Sequence, residues 1–283
     1  MAKPTVVTTR AALLDALGAV RAQGRTVGFV PTMGALHRGH ISLVERAVAE
    51  NGCAVVSVFV NPTQFNNPND LKTYPRTPEA DLDLLDETGV ELVFMPSVEE
   101  MYPQPDTRQF DFGPTGQVME GERRPGHFNG VAQVVSRLFD LVHPNRAYFG
   151  QKDFQQVAII RMLVDMLGYN IEIVECPIVR EFDGLALSSR NALLTPKARR
   201  AAPAIHHAMA LAQLQMEQRT VQQTAQWVVE QINAVAPLQV EYFTLANAQT
   251  LQPIGAWSDA ERVVGCIAVQ AEQVRLIDNI IFK

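Results

Sequence analysis

Two histidines, His37 and His40, stand close together in the tract Pro31-Thr32-Met33-Gly34-Ala35-Leu36-His37-Arg38-Gly39-His40. Imidazole changes charge near neutrality, so both rings can meet one phosphate chain as hydrogen-bond donors or as cations. Gly34 and Gly39 permit positive φ and close approach of a flat ligand. Other polar tracts carry complementary groups: Asn61-Pro62-Thr63-Gln64-Phe65, Gly150-Gln151-Lys152-Asp153 followed by Gln156, and Gly184-Leu185-Ala186-Leu187-Ser188-Ser189-Arg190-Asn191. Amides serve as donors and acceptors for an oxygen-rich small molecule, while lysine, arginine and serine hydroxyls suit phosphate oxygens.

These residues need elements that aim them at one place. Thr26 to Val30 is an apolar run of strand length, and Ile41, Val44 and Val48 then recur at helical spacing. A strand feeding a helix through a glycine-containing turn sets helix-start N–H groups at the strand's carboxyl end, where anions bind. Cys53 to Val60 reads as a strand buried on both faces, Val90 to Met95 and Ile171 to Val174 as further strands, and Arg146 to Phe149 as a short one. Helical patterns cover residues 10–23, 78–87, 131–142 and 154–167, whereas 101–127 is irregular and 66–70 is turn-rich. Strands alternating with helices predict an α/β protein, a Rossmann-like parallel sheet with right-handed crossovers. Tract 31–40, residues 61–64 and residues 150–156 each follow a strand, so they share the sheet's carboxyl edge, where open α/β sheets bind ligands.

After Pro177 the pattern changes. Thr195-Pro196 predicts the start of a long Ala-rich helix and Thr220 caps another through Ala234, with alternating strand patterns beyond. The expected division is a Rossmann-like domain over 1–177 that binds nucleotide and substrate, and a smaller α+β domain over 178–283 closing over the nucleotide.

A chain of 283 residues with 47% hydrophobic and 19% charged residues has globular composition. A net charge of −6 without a basic block argues against nucleic acid. Cys53, Cys176 and Cys266 are far apart, without a Cys-x-x-Cys, and read as buried apolar residues rather than disulfide or zinc ligands. Neither a signal-peptide core nor a membrane-spanning run is seen, so the expectation is a cytoplasmic protein with no membrane partner.

The 31–40 tract resembles the His-x-Gly-His signature of nucleotidyl-transfer enzymes and, over its whole length, that of the pantoate–β-alanine ligases. The Asn-Pro-x-Gln-Phe, Gly-x-Lys-Asp and Leu-Ser-Ser-Arg-Asn segments match that family too. The resemblance implies ATP-dependent condensation of (R)-pantoate with β-alanine through pantoyl adenylate, releasing AMP and diphosphate. It implies ATP contacts from Met33, Gly34, Ala35, Leu36, His37, Arg38, Gly39, His40, Gly150, Gln151, Lys152, Asp153, Val179, Leu187, Ser188, Ser189 and Arg190. His40 is then the proton donor during adenylation, His37 a second phosphate contact or a structural residue, and Lys152 the phosphate-neutralising cation. Gln151 departs from the glutamate of the family pattern. Gln64 and Gln156 hold pantoate. Arg124 binds the pantoate side or makes a structural ion pair. Asp81 is the candidate ligand for Mg2+, and a homodimer is implied.

Two other functions fit the signature: a nucleotidyltransferase that leaves the nucleotide on its product, and a non-catalytic nucleotide-binding regulator. The glutamine pair favours the ligase.

Overall fold

A computed structural model describes residues 3–65 and 68–283. Asn66 and Asn67 of the turn-rich tract lie outside the described residues, and Pro68–Thr73 beyond them is a short helix. The chain forms two compact units. One holds the residues up to Phe112, Arg124–Gln151 and Gln156–Pro177, and the other holds Gly113–Arg123, Lys152–Gln155 and Ile178–Lys283.

The first unit is built on six parallel strands: β1 (Thr5–Val7), β2 (Val27–Thr32), β3 (Cys53–Val58), β4 (Leu92–Phe94), β5 (Arg146–Gly150) and β6 (Glu172–Cys176). Their order is β1-β4-β3-β2-β5-β6, so the chain steps outward one way from β2 through β3 and β4, then returns to β5 on β2's other side. The carboxyl ends of β2 and β5 therefore flank a topological switch point, the crevice where such sheets bind ligands. β2 and β3 are almost wholly buried, as their unbroken apolar runs predict. Phe29, Val55 and Phe94 pack on one face beneath the helix His127–Val142, and Val30, Val56 and Val93 pack on the other beneath Arg38–Glu50.

The second unit contains an antiparallel sheet of β7 (Leu238–Asn247), β8 (Val263–Ala271) and β9 (Val274–Ile281). A register shift between Val240 and Tyr242 interrupts the β7–β8 pairing. The Ala-rich region is two helices rather than one, Pro196–Ala201 and Ala204–Leu214, because Pro203 has no N–H to continue the ladder. Thr220 caps Val221–Asn233 in a reciprocal capping box with Gln223.

The strips Gly113–Arg123 and Lys152–Gln155 belong to the second unit, whereas the sequence places them in the first. Side-chain bonds explain this. Gln155 Nε2 donates to the carbonyls of Thr115 (2.8 Å) and Val118 (2.9 Å), and Gln155 Oε1 accepts from Glu120 N–H. The Glu120 carboxylate receives the Arg275 guanidinium at 2.7 and 2.8 Å and the Tyr242 hydroxyl at 2.8 Å.

Burial pushes the Cys53 thiol up to about 11 and the Cys266 thiol up to about 12, so both remain protonated apolar packing groups at neutral pH. Among the described residues no helix is long and apolar enough to cross a membrane.

Candidate functional site

β2 ends at Thr32, and the chain turns through Met33–Leu36 into the helix Arg38–Glu50. Gly34 makes the turn at φ +80°, where a Cβ would sit 3.0 Å from both Val58 Cγ1 and Asp81 Oδ2. His37, not His40, caps the helix: its Nδ1 accepts the Gly39 N–H at 3.1 Å. In the neutral ring this leaves the hydrogen on Nε2. His40 sits in the first helical turn, half-buried, with its ring centroid 4.1 Å from that of His37. The two imidazoles thus form one close, tilted pair at the mouth of β2. Arg38 is exposed and its guanidinium pairs with Glu45 Oε1 at 3.3 Å.

Several of the turn's backbone donors are used within the fold. Gly34 N–H donates to Thr32 Oγ1 (3.2 Å), Ala35 N–H to Asp81 Oδ2 (3.0 Å) and Leu36 N–H to Asp81 Oδ1 (2.7 Å). His40 and Ile41 N–H both donate to the His37 carbonyl. The amides of Gly34, Ala35 and Leu36 are thus engaged within the protein, and the two imidazoles stand at the helix start, whose dipole favours an anion.

Asp81 is 2% exposed, and its oxygens accept from Ala35, Leu36 and the Thr77 hydroxyl. It braces the turn. No group of three His, Cys, Asp or Glu side chains among the described residues could hold a metal ion. Asp81→Asn turns one acceptor into a donor facing an N–H and is expected to cost about 1–3 kcal/mol of stability. Urea unfolding checks it, and an unchanged midpoint would remove the brace.

β3 leads into the 3₁₀ turn Pro62–Gln64. Gln64 is buried, its Oε1 accepting from Asn61 Nδ2 at 3.1 Å and its Nε2 lying 3.3 Å from Met33 Sδ. This sets Gln64 against the histidine-bearing tract, as strand adjacency requires. The helix His127–Val142 comes so near that a Cβ on Gly130 would lie 2.5 Å from the Thr63 carbonyl oxygen. At its start, His127 Nδ1 meets the Gln64 backbone carbonyl (2.9 Å) and Nε2 meets Arg124 Nη1 (3.1 Å). A carbonyl only accepts and a guanidinium only donates, so Nδ1 carries the hydrogen and Nε2 the lone pair. Arg124 is thus oriented by a histidine partner. Gln156 is half-buried in the first turns of Phe154–Leu167, following β5.

In the second unit, Leu187 N–H donates to the Val179 carbonyl at 3.0 Å, closing a tight loop whose turn contains Gly184 at φ +91°. Arg180 fixes this loop with a bidentate pair to buried Asp278, at 2.6 and 2.9 Å. Ser188 caps the 3₁₀ turn Ser189–Leu193, its Oγ accepting from Arg190 N–H at 3.3 Å, and Asn191 Nδ2 donates to the Ala186 carbonyl. Lys152 and Ser188 line one small pocket with Asn191 and Asp278. Residues from two separate sequence tracts therefore meet here. The Lys152 ammonium lies 3.7 Å from Asp153 Oδ1.

The sequence reading missed Asn61, Tyr102 and His127, which hold Gln64 and Arg124 in place. Of these only Asn61 lies inside one of the polar tracts singled out above; Tyr102 and His127 fall in the irregular region 101–127.

Residues 5–281 match the family model described as pantoate-beta-alanine ligase. A pantothenate synthetase of Porphyromonas gingivalis is 55% identical over 278 residues, covering 98% of this chain and 99% of the relative. One from Bacteroides thetaiotaomicron is 57% identical over 267 residues, covering 94% and 95%. The crystal structure of pantothenate synthetase from Thermus thermophilus superimposes with a TM-score of 0.91 at 46% identity, covering 97% of this chain and 98% of that one. That of the Francisella tularensis pantoate-beta-alanine ligase, complexed with beta-gamma ATP and beta-alanine, gives 0.84 at 34% identity, covering 99% and 98%. The chain belongs to the pantoate–β-alanine ligase family.

Proposed function

We propose that the chain joins (R)-pantoate to β-alanine in two steps at the residues described above. The pantoate carboxylate attacks the α-phosphorus of ATP, and diphosphate leaves. The β-alanine amine then attacks the acyl carbon of pantoyl adenylate, and AMP leaves with pantothenate. Activation is required because a free carboxylate is a poor acyl donor to an amine at neutral pH. Holding the adenylate beside the amine supplies proximity and keeps water away.

The observation that carries this proposal is the close His37–His40 pair at the end of β2, with Gln64 set against the same tract from the end of β3. His40 donates toward the phosphoryl centre as charge builds on the departing diphosphate, and His37 Nε2 is a second donor to the phosphates. Lys152, Ser188, Ser189 and Arg190 are assigned to the same nucleotide, in line with the family segments they match and with the shared pocket of Lys152 and Ser188. Gln64, Gln156 and Arg124 are assigned to pantoate. Magnesium enters on the phosphates of ATP, and no step is assigned to a metal held by protein ligands. Domain closure over ATP, a homodimeric assembly and a cytoplasmic location belong to the same proposal.

The test is product analysis with all three substrates. Equal amounts of AMP, diphosphate and pantothenate are expected. Diphosphate without AMP would indicate a nucleotidyltransferase, and bound but unchanged ATP a regulator.

Gln64→Ala and Gln156→Ala are each expected to weaken pantoate by about 1–3 kcal/mol, the cost of leaving a buried polar group unsatisfied, with little change for ATP. Titration calorimetry with each ligand alone reads both affinities. Loss of ATP affinity with intact pantoate binding would place the pocket elsewhere.

A further inference from the structure

Hydrogen-bond roles around Asn61 determine which end of the Gln64 amide is available to a ligand. Asn61 is 1% exposed, and two of its neighbours are backbone groups whose roles cannot change. Thr63 N–H only donates and lies 3.4 Å from Oδ1; the Gly130 carbonyl only accepts and lies 3.1 Å from Nδ2. The orientation of the Asn61 amide is therefore fixed by chemistry and not by choice of rotamer. The second hydrogen on Nδ2 points to Gln64 Oε1 at 3.1 Å, which identifies that atom as oxygen. Gln64 consequently turns its NH2 group outward, past the weakly accepting sulfur of Met33 at 3.3 Å. On the side facing Met33, Gln64 therefore presents its N–H donors.

With this orientation, the Asn61 Oδ1 acceptor is held by the Tyr102 hydroxyl at 2.8 Å and the Thr63 hydroxyl at 3.1 Å. Tyr102 is itself clamped. The Arg137 guanidinium lies over its ring at 5.0 Å, and Arg137 Nε donates to Asp106 at 2.7 Å. Burial pushes the Tyr102 phenol up, so it remains a hydrogen donor across the neutral range.

We propose that Tyr102 is a positioning residue for the hydroxy-acid pocket: through Asn61 it holds the Gln64 amide with its N–H groups toward the substrate. The pocket thereby selects an acceptor, a carboxylate oxygen or a hydroxyl lone pair, at the position Gln64 faces. This rests on the assignment of Gln64 to pantoate.

Tyr102→Phe keeps the ring under Arg137 and removes only the hydroxyl. The expected result is a rise of about five- to tenfold in KM for pantoate, the effect of one lost hydrogen bond, with KM for ATP and the melting temperature unchanged. Gln64→Glu tests the donor assignment independently, because it puts an acceptor where the NH2 stood. It is expected to lose more pantoate affinity than Gln64→Ala. Unchanged kinetics in Tyr102→Phe, or equal rises in both KM values with a lowered melting temperature, would overturn the positioning role. Gln64→Glu binding pantoate better than Gln64→Ala would overturn the donor assignment. Should Gln64→Ala itself leave pantoate affinity intact, the pocket assignment fails, and that outcome is separate from either of the others.

Discussion

His40→Ala is expected to slow formation of pantoyl adenylate about a hundred- to a thousandfold, the scale of removing one donor to a transition state. The fold should survive. The helix Arg38–Glu50 is anchored by buried Ile41, Leu43, Val44 and Ala47, whereas His40 is only half-buried. The effect should also be larger than the amides of the turn could offset, since Gly34, Ala35, Leu36 and Gly39 N–H are already bonded within the protein. Single-turnover formation of the adenylate, with circular dichroism to confirm folding, reads the rate. A folded His40→Ala protein with near-normal adenylation would remove His40 from the mechanism.

Arg190→Ala is expected to slow adenylation about ten- to a hundredfold, the worth of a charge-assisted hydrogen bond, and to weaken ATP binding less. A guanidinium fork contributes most where charge develops, on the phosphoryl oxygens as diphosphate departs. The loop that carries Arg190 has ties of its own from the backbone and neighbouring side chains. Ser188 Oγ takes the Arg190 backbone N–H, Asn191 ties the turn to Ala186, and Arg180 pins the preceding loop to Asp278. The substitution should therefore be local, and stopped-flow adenylation against ATP titration separates the two effects. Equal losses in binding and rate would make Arg190 an ordinary ground-state contact. Ending the chain at Pro177 is a poorer experiment, because it strips Glu120 of both Arg275 and Tyr242 and so disturbs the 113–123 strip as well.

The strands that carry the site were legible because β2 and β3 are largely apolar runs, and because Gly34 marks the turn between strand and helix. That the carboxyl ends of β2, β3 and β5 share one edge follows from the alternation of strands and helices, whereas the strand order does not. β1 was missed: it is a three-residue edge strand with only Val7 buried, too short for a pattern. The Ala-rich helix was overextended because periodicity continues past Pro203 although the hydrogen-bond ladder does not.

The supporting shell was less legible for a different reason. The role of Asp81 in bracing the turn has no counterpart in the sequence pattern. Its partners are backbone N–H groups of Ala35 and Leu36, which leave no residue signature. Tyr102 reaches Asn61 across the fold, and Arg275 reaches Glu120 across a still longer stretch of chain. Such pairs depend on tertiary packing, and neither partner's local context announces the other.

The central claim is stepwise activation of pantoate by adenylation, and its most direct measurement is exchange of labelled diphosphate into ATP without β-alanine. With pantoate present, label is expected to enter ATP, because the first step runs reversibly and the adenylate waits for an amine. Omitting pantoate should abolish the exchange. No pantoate-dependent label in ATP, from protein that makes pantothenate once β-alanine is added, would contradict a free-standing adenylation step.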